Sequence, residues 1–320
     1  MKPQMNWIPS AVLLLVAGTP GYSAEPDDGQ EAAIDAIRKL GGNVYVRNKV
    51  VQSVGFDGER VTDDELRHLK GLKSPYHLSI TGNNFTDAGL EHLKGLTRLK
   101  YLWLKNINLS DAGLKHLKGL KSLKSLHLPG TKITDAGLVH LKGLTQLETL
   151  NLIGTKVGDD CLKRLKGLKS LRSLDLAGTK ISDAGLVHFK GLTGLDGVGL
   201  HNTKITDAGL KHLKVLTGLK SLSLHNTKIS DAGLKHLRVL TNLEGMSLSN
   251  TKVTDAGLEH LKGLTKLNYL DLQNTQVTDA GLEHLKGLTK LEYLDLQNTK
   301  VTDEGVKRFQ QALPNCMIAR

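Results

Sequence analysis

The sequence predicts an α/β solenoid, with a parallel sheet of short strands on a concave face and short helices on the convex face. Three observations predict it. An aspartate recurs every 24 residues without insertion or deletion, at Asp63, Asp87, Asp111, Asp135, Asp159, Asp183, Asp207, Asp231, Asp255, Asp279 and Asp303, and a fixed period of this size marks a stacked repeat array. Each unit carries two apolar periods: Leu126 and Leu128 alternate as in a half-buried strand, while Leu138, Leu141 and Leu144 follow at spacing three, as on one stripe of a short helix. Neither half can bury its apolar side alone, so units must stack, strand on strand and helix on helix. Because such an array grows by adding layers, 320 residues are expected to form one elongated, curved domain.

Residues 1–24 have the layout of a secretory signal peptide. Lys2 precedes an apolar run from Ala11 to Ala17, then Gly18, Thr19, Pro20, Gly21 and small residues up to Ala24; the run is too short to span a bilayer. Cleavage is expected after Ala24 or Gly21, with export to the periplasm or the medium and no transmembrane segment. No cysteine follows the run, so no lipid anchor is expected. Residues 25–50 form a lead-in and N-terminal cap. Gln30 to Leu40 predicts a helix, with Ala32, Ala33, Ile34, Ala36, Ile37 and Leu40 on one face, stopped by Gly41-Gly42. Val44, Val46, Val50, Val51, Val54 and Phe56 then predict strands. About eleven repeats fill 51–311, and 312–320 form a closing strand with Asn315 and Ile318 in register. Cys161 and Cys316 lie about seven repeats apart, which at ~4.8 Å per stacked strand places them roughly 30 Å from each other, so no intramolecular disulfide is expected.

The recurring pattern is L-x-x-L-x-L-x-x-T-x-[IV]-[ST]-D-A-G-L-x-H-L-K-G-L, as in Leu123, Leu126, Leu128, Thr131, Ile133, Thr134, Asp135, Ala136, Gly137, Leu138, His140, Leu141, Lys142, Gly143 and Leu144. It resembles the leucine-rich-repeat proteins, in particular secreted bacterial arrays with T-D-A-G-L helices and, more distantly, the repeats of eukaryotic F-box proteins. The resemblance covers about residues 51 to 318 and implies a horseshoe that binds a partner on its strand-lined face. It departs from the family in one column: threonine, from Thr131 to Thr299, stands where asparagine is usual, and only Asn83 keeps the amide.

The columns in phase with the aspartate have structural explanations. Gly or Asn stands before the threonine in every turn, from Gly58 to Asn298, which predicts a left-handed residue where the strand leaves the sheet. The aspartate itself, after Ser or Thr and before Ala-Gly-Leu, predicts a helix cap. The glycine of D-A-G-L gives way to Glu65 and Cys161, so it is expected to provide room for a neighbouring turn. The glycine after the lysine column gives way to Val215 and Val239, so it is not expected to be a left-handed cap. A histidine column (His68, His92, His116, His140, His188, His212, His236, His260, His284) shares its place with Arg164 and Arg308, which is hostile to zinc; repulsion between protonated imidazoles is expected to lower stability below about pH 6.

The formal charge of +11 comes from lysine columns on the helix side (Lys70 to Lys286, and Lys132 to Lys300). With no aromatic interleaving, nucleic acid is not expected; an acidic polysaccharide is the alternative polyanion. Nothing points to catalysis, a metal or a cofactor. Specificity is left to the outward strand positions: Tyr101, Trp103 and His127; then Asp175, His201 and His225 around a trough of Gly197, Gly199, Ser221, Ser223, Gly245 and Ser247; then Tyr269, Asp271, Tyr293 and Asp295 in two duplicate rows. The expected function is a secreted, non-catalytic scaffold binding a protein or glycan. The alternatives are an envelope repeat protein with nonspecific polyanion binding, and a ubiquitin-ligase substrate receptor, against which the lead-in is too short for an F-box.

Overall fold

The computed structural model describes residues 30–57, 61–73 and 75–320; the expected signal peptide lies outside them. The described chain forms two compact units, one ending at Leu171 and one beginning at Arg172.

The first unit opens with helix α1, Glu31–Lys39, whose Ile34 and Ile37 are buried. Gly41, at φ +82°, turns the chain out of it. Strands β1 (Asn43–Arg47) and β2 (Val50–Asp57) pair antiparallel. Asn48 and Lys49 between them both have positive φ, the conformation that matches a two-residue hairpin to the strand twist. From β2 the chain adds parallel strands β3 (His77–Thr81), β4 (Tyr101–Lys105), β5 (Ser125–His127) and β6 (Thr149–Asn151), each 24 residues after the last and in register. The return segments are 3-10 turns at Asp64–Gly71, Gly89–Leu93, Gly113–Gly119 and Gly137–Leu141, then the short helix α2, Cys161–Leu165.

The second unit repeats the scheme with β7 (Ser173–Asp175), β8 (Gly197–Gly199), β9 (Ser221–Ser223), β10 (Gly245–Ser247), β11 (Tyr269–Asp271), β12 (Tyr293–Asp295) and β13 (Met317–Ala319), parallel from β7 to β13. Its returns begin with α turns on D-A-G-L, α3 (Asp183–Leu186), α4 (Asp207–Leu210), α5 (Asp231–Leu234), α6 (Asp255–Leu258) and α7 (Asp279–Glu283), with 3-10 turns following at Val187–Gly191, Leu213–Val215 and Glu259–Leu261. Only α8, Asp303–Ala312, is longer. The helical side is thus shorter and more 3-10 in character than regular α-helices, because a strand and two direction changes leave a 24-residue unit little more than one turn. Ile318 pairs with Leu294 at the closing strand.

Within each unit the leucine columns form the core: Leu102, Leu126, Leu150 and Leu222 of the strands, like Leu138 and Leu258 of the returns, are essentially inaccessible. Each such burial contributes roughly 1.5–3 kcal/mol. Strands leave the sheet as the sequence predicts, through left-handed residues, among them Asn106, Gly130, Gly154, Asn226 and Asn274. Threonine does locally what an asparagine ladder would do between turns. Thr131, Thr155, Thr227 and Thr275, for example, each donate a hydroxyl hydrogen bond to the carbonyl three residues back, at 2.5–2.8 Å.

The aspartate column corrects its expected role. From Asp63 to Asp135 and from Asp183 to Asp279 its carboxylates do not cap their own helices but reach the next turn. Asp231 Oδ1 accepts from the Thr254 N–H at 2.8 Å and its Oδ2 from the Thr254 hydroxyl at 2.7 Å. The same two bonds join Asp63 to Thr86, Asp87 to Ser110, Asp111 to Thr134, Asp183 to Thr206, Asp207 to Ser230, Asp255 to Thr278 and Asp279 to Thr302. Capping falls to the hydroxyl residue one position earlier: Thr86, Thr134, Thr206 and Thr278 each accept from the N–H of the alanine two residues on. A hydroxyl can donate and accept at once, whereas a carboxylate only accepts, so threonine or serine can serve both turns and aspartate cannot.

The glycine of D-A-G-L does provide room for a neighbouring turn. A Cβ on Gly89, Gly137, Gly233 or Gly281 would collide with the carboxylate of the preceding aspartate. Turn one has no predecessor in the repeat, and there Glu65 occupies the glycine position and accepts from the N–H and hydroxyl of Thr62, a local replacement for the missing aspartate. At the other end Asp303 pairs with Arg320. One turn departs inside the array: Gly158 replaces the hydroxyl residue and Cys161 the glycine, so Asp135 loses the hydroxyl donor and is held by backbone N–H groups, that of Gly158 at 2.9 Å and that of Asp160. Burial raises the pKa of both Asp135 and the Cys161 thiol. Cys161 and Cys316 are both free and buried.

A clamp between turns, unlike a cap, couples residues 23 apart. Asp207→Ala and Ser230→Ala should each destabilise the protein, and the double variant should lose about 1 kcal/mol less than their sum. Additive losses in chemical denaturation would restore the capping role.

Candidate functional site

With leucine, threonine, aspartate and glycine columns committed to stacking, the side chains free to vary are those facing outward from the strands. In the first unit these gather into one aromatic cluster. Tyr101 and Trp103 project from β4 and His127 from β5, and Trp103 meets His127 with ring centres 4.9 Å apart. His77, on β3, completes it, 5.8 Å edge-on to Trp103 and 6.4 Å from Tyr101. His77 stands 24 residues before Tyr101 and pairs with it in register, so the period alone could have identified it; its lone place ahead of the richer rows hid it. Tyr76 is a second unexpected member, with the Arg98 guanidinium and Lys100 ammonium at 4.7 and 4.9 Å from its ring.

Burial makes this cluster chemically unusual. His77 and His127 are only 7% and 6% exposed. Ser53 hydrogen-bonds His77 Nδ1 at 3.0 Å, and Ser125 bonds His127 Nε2 at 2.8 Å. His77 Nε2 and Trp103 Nε1 are buried and have no hydrogen-bond partner. Burial, with the neighbouring His77, drives the His127 pKa down to about 4, and burial lowers that of His77.

In the second unit the expected residues form three adjoining groups. His201 and His225 stack at 4.0 Å, tilted by 20°, with Ser223 bonded to His225 Nδ1 at 2.9 Å; burial, then His225, takes His201 down to about 4. Tyr269 and Tyr293 stack at 5.3 Å, nearly parallel. Asp271 pairs in register with Asp295, and its Oδ2 accepts from the hydroxyls of Ser247 and Ser249, both at 2.8 Å. Asp175 is set apart from these carboxylates. It lies over Gly199, where a Cβ would strike it; it is 7% exposed and accepts the Ala177 N–H at 3.0 Å. Burial raises its pKa to about 6. Between Asp175 and Tyr269 the floor is Gly197, Gly199, Ser221, Ser223, Gly245 and Ser247, as the sequence predicts. A depression of about 410 Å³ lies elsewhere, at the strand entries beside Glu244, Lys266, Asn268 and Glu292.

On the helix side the histidine column behaves differently from expectation. His116, His140, His212 and His236 have lowered pKa values, with burial the first cause and lysines such as Lys115, Lys118 and Lys211, rather than neighbouring imidazoles, the main repulsive charges. Arg308, in the same column, reaches back to Asp279 at 3.1 Å.

Family models described as leucine-rich repeat match residues 241–301, and 77–94, 119–141 and 167–189. Among solved structures, an internalin from Listeria monocytogenes is 24% identical, covering 90% of this chain and 94% of its own, with a TM-score of 0.57. A TDR receptor is 16% identical over 80% of this chain and 43% of its own, with a TM-score of 0.54. Internalin C2, also from Listeria monocytogenes, is 23% identical over 87% of this chain and all of its own, with a TM-score of 0.48. No curated protein sequence matches the chain.

Two pH effects of opposite sign follow. For His127 and His201 the folded pKa lies below the unfolded value of about 6.5, so the unfolded chain takes up protons first. Their contribution is intact above about pH 6.5 and is lost as the pH falls towards 4. His201→Gln should therefore shrink the fall in Tm between pH 7 and pH 4.5, and an unchanged fall would refute the assignment. For Asp175 the folded pKa lies above the unfolded one, so stability is lost as pH rises through about 4 to 6. Asp175→Asn should raise stability at pH 7.5 by on the order of 2 kcal/mol and leave it unchanged at pH 3.5; equal effects at both pH values would contradict an uncompensated carboxylate.

Proposed function

We propose that the chain, which is a leucine-rich-repeat protein, is an exported, non-catalytic protein-binding scaffold whose outward strand face holds the partner. One observation carries this reading. The side chains that break the repeat pattern collect on the strand face, where His77, Tyr101, Trp103 and His127 form one patch and Tyr269, Tyr293, Asp271 and Asp295 another. Aromatic residues on rigid strands lose little entropy on binding and are the residue type that dominates recognition surfaces. Export rests on the signal-like layout of residues 1–24. No described helix is long and apolar enough to cross a membrane.

The reading separates from nonspecific attraction to the lysine columns by substitution. Partner capture from envelope extract should fall by about thirtyfold in Trp103→Ala or Tyr269→Ala, the cost of losing an aromatic anchor, with thermal melts confirming folded protein. Lys142→Ala and Lys262→Ala should leave it unchanged. Capture indifferent to the strand-face substitutions, yet lost with salt or the lysine variants, would overturn the proposal.

A further inference from the structure

The strand face of the second unit has a charge opposite to that of the whole chain. The chain carries a formal +11, yet the outward positions of β7 to β13, from Ser173 to Ala319, hold Asp175, Asp271 and Asp295 and no lysine or arginine. Between the acids, β8, β9 and β10 present only glycine and serine, leaving a groove three strands wide. Small residues and carboxylates alone do not make a site. What marks this one is Asp175, nine-tenths buried, with its carboxylate laid over the Gly199 backbone at the groove floor. Only burial and the Ala177 N–H act on it. A carboxylate taken out of water without a counter-charge costs several kcal/mol unless a partner supplies one.

The far wall supplies a second complementary element. Tyr269 is stacked on Tyr293 on one side, and its register partner on the other side is Gly245, which has no side chain to cover the ring. Asp271 stands next to it on the same strand, its Oδ2 fixed by the hydroxyls of Ser247 and Ser249 and its Oδ1 by the Gln273 N–H. An open tyrosine face beside a fixed carboxylate is a seat for a guanidinium or an ammonium.

Resting on the strand-face reading above, we propose that this groove receives a basic segment of a protein partner, with one cationic side chain on Asp175 and a second on the Tyr269–Asp271 seat. β7 and β11 are four strand spacings apart, ~19 Å, which an extended peptide crosses in about six residues. The two cations are therefore separated by about five residues. The body of the protein repels free cations, so affinity for a basic peptide has to come from the groove itself.

The probe is an acetylated and amidated peptide with two arginines separated by five glycine or serine residues, titrated calorimetrically at low salt into the full chain, beside a peptide with glutamine in place of each arginine. The arginine peptide should bind at least tenfold more tightly than the glutamine peptide. Asp175→Asn and Asp271→Asn should each weaken it by about tenfold, and Glu283→Gln on the helix side should not. Asp175→Asn removes a buried charge, so its loss of binding cannot come from unfolding; the melt of Asp271→Asn controls for the other. Equal binding of the two peptides, or wild-type binding by both asparagine variants, overturns the proposal. If capture of the native partner depends on Trp103 and Tyr269 while the arginine peptide is ignored, this inference fails and the recognition reading stands. If capture is indifferent to those aromatics as well, both fail.

Discussion

The carboxylate that reaches from one turn to the next is the constraint on which the rest of each unit depends. Strand pairing already links turns on one side of the layer, but the helical returns are one turn long and bring few backbone hydrogen bonds of their own. Asp231 and its equivalents close that side. Two charge-assisted bonds to the following threonine or serine fix the return at a set height above its neighbour. The collision that a Cβ on Gly257 would make with Asp231 shows how closely the turns approach. A 24-residue period with no insertions is the consequence: one extra residue would carry a hydroxyl out of reach of its carboxylate and break both stacking interactions together.

The clamp also explains the exceptions. Glu65 is allowed in the glycine column because no aspartate precedes it, and it then does the absent carboxylate's work from within its own turn. The Gly158–Cys161 turn loses a hydroxyl and gains a side chain at the crowded position, and both changes weaken the same bond pair at Asp135. Such a turn is held chiefly by its strand and its leucines.

Periodicity made the architecture legible: strand register, left-handed exits at Asn106 or Gly130, and the buried leucines all follow from counting. It also placed Tyr101, Trp103, His127, Tyr269 and Asp271 on one kind of surface. What it could not supply was direction. An aspartate ahead of a helix has the same sequence signature whether its carboxylate turns back onto its own N-terminus or out to the next turn, and only the glycine column, read together with Glu65, distinguishes the two. Burial was hidden for the same reason. Asp175, Asp271 and Asp295 share a register position, but Gly199 beside Asp175 lets its carboxylate fold down onto the sheet, whereas Ser247 and Ser249 hold Asp271 by its oxygens. His77 shares the register of Tyr101, but its neighbours in sequence are unlike those of the other rows and mask it.

The contrast between these carboxylates bears on function. Each complete clamp aspartate receives two donors from the turn that follows, so its charge is used in holding the fold. Asp175 receives one backbone N–H and is buried all the same. A stacked array gains nothing from such a residue; serine, as at the register position Ser223, fills the same place without a charge to desolvate. Where a side chain costs stability and supports only a local backbone N–H, the proposed function places the compensation outside the fold, in something that binds. On the proposed function the outward strand face is more than the surface left over after stacking: a stability cost at Asp175 is what that proposal expects of a recognition surface and not of a spacer.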